Sequence, residues 1–175
     1  AFSDLLGGSG GAVGGNLPLS RLWGHSSPTG VGGDGGGVIE FVAVNDIYFP
    51  SKGSVFADGT DGSDGRSAGG GGSGGKIVLS AGGTLRFAGH LQANGGRGGK
   101  RLGKDGGYDG GHGGGGNILV YAQGVRYDGD PQIIANDGRV RIQLRTNASW
   151  YIDRTSGAFG TKQSLVLTGS EQGVT

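Results

Sequence analysis

The chain has 175 residues, 15 basic and 14 acidic side chains, a formal net charge of +1, no cysteine and 46 glycines. The missing cysteine excludes disulfide staples, thiolate metal sites and cysteine nucleophiles. The balanced charge argues against a polybasic nucleic-acid surface or attraction to an anionic membrane.

Glycine makes up about a quarter of the chain, against about 7% in average proteins. It lies in blocks between short runs rich in Val, Ile, Leu and Phe, which a flexible linker would lack. The apolar fraction is 33%, which suits a thin core repeated along an axis better than one thick core. No apolar stretch approaches the ~20 residues that span a bilayer. The strongest run, Val38 to Val44, is broken by Glu40. The chain contains no Met and does not open on a signal-peptide pattern, so Ala1 is expected not to be the translational start. A processed mature protein or a fragment of a longer one is expected.

Residues 1–29 form a glycine-rich lead-in, with Gly8, Gly11 and Gly14 three residues apart. Gly30, Gly33 and Gly36 repeat that phase. A first coil, residues 30–62, then carries three short apolar runs. Its leading run, Gly37-Val-Ile-Glu-Phe-Val-Ala43, matches Gly75-Lys-Ile-Val-Leu-Ser-Ala81 in a second coil (63–99) and Gly116-Asn-Ile-Leu-Val-Tyr-Ala122 in a third (100–138). Such a period of about 40 residues marks a repeat architecture. Ile39/Phe41/Ala43, Ile77/Leu79/Ala81 and Ile118/Val120/Ala122 alternate with mostly polar neighbours, the pattern of a strand with one face buried.

The second run of each unit aligns Ile47-Tyr-Phe49 with Leu85-Arg-Phe87 and Val125-Arg-Tyr127. The third aligns Val55-Phe-Ala-Asp58 with Leu91-Gln-Ala-Asn94 and Ile133-Ile-Ala-Asn136. Three strands per unit, repeated in register, predict an all-β parallel β-helix (β-solenoid) of three to four coils. The expected core holds Ile39, Phe41, Ile77, Leu79, Ile118, Val120, Phe49, Phe87 and Tyr127. Asp58, Asn94 and Asn136 form a corner column, where Asn suits a left-handed turn and stacked side chains can hydrogen-bond along the axis. Residues 139–175 read as an atypical fourth coil from Val140, Ile142 and Leu144 through Trp150 and Ile152, with a strand at Ser164–Thr168 to cap it. An antiparallel sandwich also shows short strands at regular spacing, but does not require three consecutive strands to match in register over three units.

The blocks Gly59–Gly75 and Gly95–Gly116 are long for loops in a compact domain. Gly59, Gly62, Gly65, Gly71 and Gly74 share one three-residue phase, interrupted by Ala68; Gly107, Gly110, Gly113 and Gly116 share another. Three residues per turn is the polyproline-II period, and Gly on one edge lets such chains pack side by side. The expectation is a bundle of polyglycine-II-like excursions beside the solenoid; plain disordered loops are the alternative.

The run Gly69 to Ala81, followed by Gly83-Thr-Leu-Arg-Phe-Ala-Gly-His-Leu-Gln-Ala-Asn-Gly-Gly96, resembles glycine-rich parallel β-helix repeats of large secreted or surface-exposed proteins of protists, plants and bacteria. The resemblance covers residues 30–140 by pattern. It implies an extracellular structural context and brings no catalytic residues.

Few side chains suggest chemistry. His25, His90 and His112 lack metalloprotease spacing, and no nucleophile elbow or phosphate-binding loop occurs. An outward column of Tyr48, Arg86 and Arg126 suits contact with an acidic glycan, whereas Glu40 has Val78 and Leu119 as its neighbours and no second carboxylate for glycoside chemistry. Asp58, Asp61 and Asp64 are the candidates for a calcium ion, with Asp34, Asp105 and Asp109 in related blocks, although their spacing is not that of an EF-type loop. Solubilising acids on a polar loop is the competing reading, and no other cofactor is indicated. Asn147-Ala-Ser149 is a glycosylation sequon compatible with secretion.

The open strand edges at the ends of so short a solenoid invite another chain. The expected function is therefore an extracellular or cell-surface structural protein without enzymatic activity. It associates with itself, or continues into a longer repeat protein, to build a fibre, sheath or appendage. A carbohydrate-binding adhesin module is the alternative, and a polysaccharide-degrading β-helix enzyme the third. Neither nucleic acid nor membrane insertion is expected.

Overall fold

The computed structural model describes residues 7–15, 29–103, 107–128, 131–144, 151–155 and 164–165. They form twelve strands and no helix. β1 (Val38–Ala43), β4 (Lys76–Ala81), β7 (Asn117–Ala122) and β10 (Arg139–Leu144) lie side by side in parallel, with β11 (Tyr151–Thr155) closing that sheet. β2 (Ile47–Phe49), β5 (Thr84–Phe87) and β8 (Gly124–Tyr127) make a second parallel sheet. β3 (Ser54–Phe56), β6 (His90–Gln92) and β9 (Gln132–Ile134) make a third, joined by β12 (Ser164–Leu165). Each tier thus contributes one strand to each sheet.

The register follows the sequence repeat residue for residue. Ile39 pairs with Ile77 and Ile77 with Ile118; Phe49 pairs with Phe87 and Phe87 with Tyr127; Val55 pairs with Leu91 and Leu91 with Ile133. Alternation along each strand sends one set of side chains into the space between the sheets. There Ile77, Leu79, Leu85, Phe87, Leu91, Ile118 and Val120 are all at most 2% exposed. The Phe49 and Phe87 rings lie 5.2 Å apart, and burial pushes the Tyr127 phenol up to about 12. Ala57, Ala93 and Ala135 are buried where the chain leaves the third sheet, the small residue allowing close approach.

Two expectations need correction. Val140, Ile142 and Leu144 do stack in parallel on Ile118, Val120 and Ala122, but Ile152 faces Ile142 across an antiparallel pair. The fourth unit turns back on itself instead of continuing round. The physical reason is the edge of β10: on β1, β4 and β7 the corresponding edge is taken by the parallel strand of the next tier, whereas on β10 it is β11 that pairs there, antiparallel. Trp150 lies outside the described residues. Secondly, the left-handed backbone at the corner belongs to Asp137 (φ 57°), and no Asn in the column adopts it.

The glycine blocks form six extended segments: I (7–15), II (29–37), III (57–65), IV (67–75), V (94–101) and VI (107–116). Hydrogen bonds join them at every third residue. Gly8, Gly11 and Gly14 of I donate to Gly36, Gly33 and Gly30 of II, so these two run antiparallel. Gly30, Gly33 and Gly36 donate in turn to Ser67, Gly70 and Ser73 of IV, a parallel pair. Gly69, Gly72 and Gly75 of IV donate to Ser63, Thr60 and Ala57 of III. Gly110, Gly113 and Gly116 of VI donate to Gly99, Gly96 and Ala93 on the approach to and within V. Each excursion is thus a pair of segments, one leaving the sheets and one returning.

The glycines are there because of this packing. A Cβ on Gly72 would lie 2.0 Å from the Asp34 carbonyl oxygen, and one on Gly71 would lie 2.1 Å from that of Gly96. Segment III carries one such crowded phase and reads Gly-x-x. Segments I and VI also carry one along their length, at Gly8, Gly11 and Gly14 and at Gly107, Gly110, Gly113 and Gly116; their further glycines at Gly7, Gly10, Gly111 and Gly114 are not crowded in this way. Segments II, IV and V carry two and read Gly-Gly-x.

Candidate functional site

The first tier stands apart from the others. β1, β2 and β3 are each the terminal strand of their sheet, so three rows of backbone groups face the same way with no strand partner among the described residues. Their side chains are correspondingly uncovered: Phe41 is 43% exposed, whereas Leu79, in the same column one tier on, is 1% exposed. Val42, Val44 and Phe56 are exposed beside it. At the opposite end the parallel stacking stops, because β11 lies antiparallel on β10 and β12 antiparallel on β9. Among the described residues only β8 of the third tier is left as a sheet edge. The two ends of the molecule are therefore chemically different.

On the outer face of the second sheet, Tyr48, Arg86 and Arg126 stack in register as neighbours. The Arg86 guanidinium lies 5.7 Å from the centre of the Tyr48 ring. Its Nη2 donates to Asp128 Oδ2 at 3.0 Å, and Arg126 Nε approaches Asp128 Oδ1 at 3.4 Å. The carboxylate clamps both guanidiniums and offsets half their charge. Sequence reasoning missed Asp128 because it follows the end of β8, just beyond the repeat pattern that identified the column.

The acids considered for calcium are occupied otherwise. Asp58 Oδ1 accepts the Asn94 N–H, Asp61 Oδ1 that of Arg97 and Asp64 Oδ1 that of Lys100, each at 2.6 Å. Among the described residues no group of three or more His, Asp or Glu side chains can hold a metal ion. Thr60 Oγ1 and Ser63 Oγ face the other way and accept the N–H groups of Asp34 and Val31 at 2.7 Å. Segment III, Asp58-Gly-Thr-Asp-Gly-Ser-Asp-Gly65, is thus a three-residue code. Asp serves one neighbouring segment, Thr or Ser serves another, and Gly lies against IV.

The corner column is a ladder of side chain onto backbone, not of side chain onto side chain. Asp58 takes the N–H of Asn94, and Asn94 Oδ1 takes that of Asn136 at 2.9 Å. Asn136 Oδ1 ends the ladder, buried and with no partner among the described residues. His90 packs edge-on against Phe56, its buried Nε2 having no partner among the described residues; His112 Nδ1 accepts the Gly98 N–H at 3.3 Å. Asp34 lies beside segment III, its carbonyl accepting the Thr60 N–H at 2.9 Å, Glu40 lies opposite Val78 in the strand register, and Asp109 Oδ1 accepts the Arg101 N–H at 2.7 Å. His25, Asp105 and the sequon at Asn147 lie outside the described residues.

No protein family, no curated protein and no solved structure matches the chain.

Proposed function

We propose that the chain is a parallel β-solenoid with a polyglycine-II bundle along its side, and that it serves as a structural building block outside the cell. It joins other chains through the open face of its first tier. The observation that carries this reading is the coincidence, in the first tier, of three strand edges that have no partner among the described residues with exposed Phe41, Val42, Val44 and Phe56. Unprotected edges of this kind template pairing with another chain unless charge or a cap blunts them. Apolar surface left wet in a repeat stack is satisfied by the next unit of the stack. With the far end blunted by antiparallel strands, association pairs like ends more readily than it extends a continuous column.

Sedimentation and electron microscopy across a concentration series provide the test. The parent chain is expected to associate, and Phe41→Lys with Val42→Lys to sediment as a folded monomer. A parent chain that stays monomeric at every concentration would sink the reading.

A second reading, a glycan-binding module, is favoured by the Tyr48–Arg86–Arg126–Asp128 cluster, which pairs an exposed aromatic face with fixed guanidiniums. Monomers that bind acidic oligosaccharides, and lose that binding on Arg86→Ala, would move it to first place.

A further inference from the structure

Segment IV touches five others, and the direction of each of its backbone groups locates them. Its N–H groups point three ways in turn: Ala68, Gly71 and Gly74 to segment VI, Gly69, Gly72 and Gly75 to III, Gly70 and Ser73 to I. Its carbonyls also rotate through three directions. Ser67, Gly70 and Ser73 accept from II, and Gly69 and Gly72 accept from V. Bonds between the outer segments set their order around IV as I, II, III, V, VI. Read in that order, IV donates, accepts, donates, accepts and donates. A chain with three residues per turn presents three donor and three acceptor directions. The sixth direction, between VI and I, is therefore an acceptor direction, and no described segment lies in it.

The carbonyls left over are those of Ala68, Gly71 and Gly74. All three residues are buried, and none of these oxygens accepts a hydrogen bond among the described residues. Buried backbone carbonyls are nearly always paired. The same alternation turns the N–H groups of Gly111 and Gly114 on VI, and of Ala12 on I, toward this position; they too donate to nothing among the described residues. Elsewhere the outer faces of the bundle are closed by side chains: Asp61, Asp64, Thr60 and Ser63 accept the N–H groups that have no segment beside them. Here only Ser9 is treated so, by Ser73 Oγ at 2.6 Å.

Space agrees with polarity. A Cβ on Gly70 would point into this position, where the nearest described atoms are Ala12 N at 3.3 Å and Gly111 O at 3.5 Å, one from each flanking segment. Its neighbours Gly69, Gly71 and Gly72 would meet backbone near 2 Å.

We propose that this slot binds a glycine-rich strand of a partner polypeptide, in the extended three-fold conformation, as the sixth neighbour of segment IV. Every third N–H of the guest donates to the carbonyls of Ala68, Gly71 and Gly74. Its carbonyls, pointing to either side, accept from Gly111 and Gly114 and from Ala12. A β-strand does not fit, because its equivalent groups recur at about 6.8 Å whereas the slot repeats at about 9.3 Å. A proline-rich chain has the right shape but lacks the donors. The phase facing IV must be glycine, for the same reason as in the segments already there. The site is separate from the open face of the first tier and does not depend on self-association.

Binding of labelled peptides to the whole protein, followed by fluorescence anisotropy and by carbonyl carbon-13 shifts, tests this directly. A peptide of repeating Gly-Gly-Ser is expected to bind saturably and to shift Ala68, Gly71 and Gly74. The same peptide with N-methylglycine for every glycine is expected not to bind. Gly70→Leu, which places a side chain in the slot, is expected to weaken binding by about tenfold or more at unchanged circular dichroism. Should that variant be unstable, Ser67→Leu on the same face replaces it. No saturable binding up to about 1 mM, equal binding of the N-methylated peptide, or equal binding to the folded blocking variants would each overturn the proposal.

Discussion

The sheets and the glycine bundle are two halves of one molecule held together by opposite means. Between the sheets, side chains meet: Phe87, Leu79 and Leu91 pack in columns, and removal of apolar surface from water supplies the stability. In the bundle there are almost no side chains to meet. Segments approach until backbone touches backbone, and the interior consists of N–H to C=O bonds at every third residue. The sheet half should therefore respond to loss of atoms and the bundle to their addition. A residue's sensitivity is set by which half it serves, not by its size.

The largest effect expected from that contrast is Gly72→Val. The new Cβ has backbone at 2.0 Å on Asp34, which no rotamer change relieves, and a loss of more than about 4 kcal/mol is expected in urea unfolding. Gly111→Ala in segment VI meets nothing within 4 Å and should be neutral, or stabilising by about 0.4–1 kcal/mol through the unfolded chain. If the two variants unfold alike, the glycines are not held by packing.

Truncation in the sheet half comes next. Phe87→Ala empties a fully buried column and is expected to cost about 3–5 kcal/mol. Phe41→Ala, in the open tier, should cost about 1 kcal/mol or less in the monomer, because much of the ring is already in water. Equal costs measured in dilute solution would mean that the first tier is covered.

The smallest effect is at the edge of the bundle. Asp61→Ala removes the acceptor of the Arg97 N–H and is expected to cost about 0.5–1 kcal/mol. Asp61→Asn keeps an acceptor oxygen and should lose less. A metal role predicts a different signature, namely a rise in melting temperature with added calcium that both variants abolish.

Much of the fold was legible because a parallel stack repeats its sequence. Ile39, Ile77 and Ile118 align in the chain for the same reason that they pair in space, each occupying the same inward position one tier apart. The site was less legible. Tyr48, Arg86 and Arg126 could be placed in one column, but Asp128 could not, since it lies past the repeat and reaches them only through its side chain. Asp58, Asp61 and Asp64 looked like a metal-binding rhythm, because a three-residue spacing of acids does not reveal which groups it faces. Their partners lie 36 residues away in the chain.

The sequence by itself determined the period, the three strands of each unit, their inward faces and the glycine phase, since all of these are local patterns of burial and backbone geometry. The tertiary structure alone decided the neighbours. It set which segment each glycine touches, why some segments need two glycines per turn and others one, and that β11 turns back on β10. Among the described residues it also set no strand beside the first tier and no segment on one side of segment IV. Hydrogen-bond direction and hard contact between distant backbones make those choices, and neither is written in the residues on one side alone.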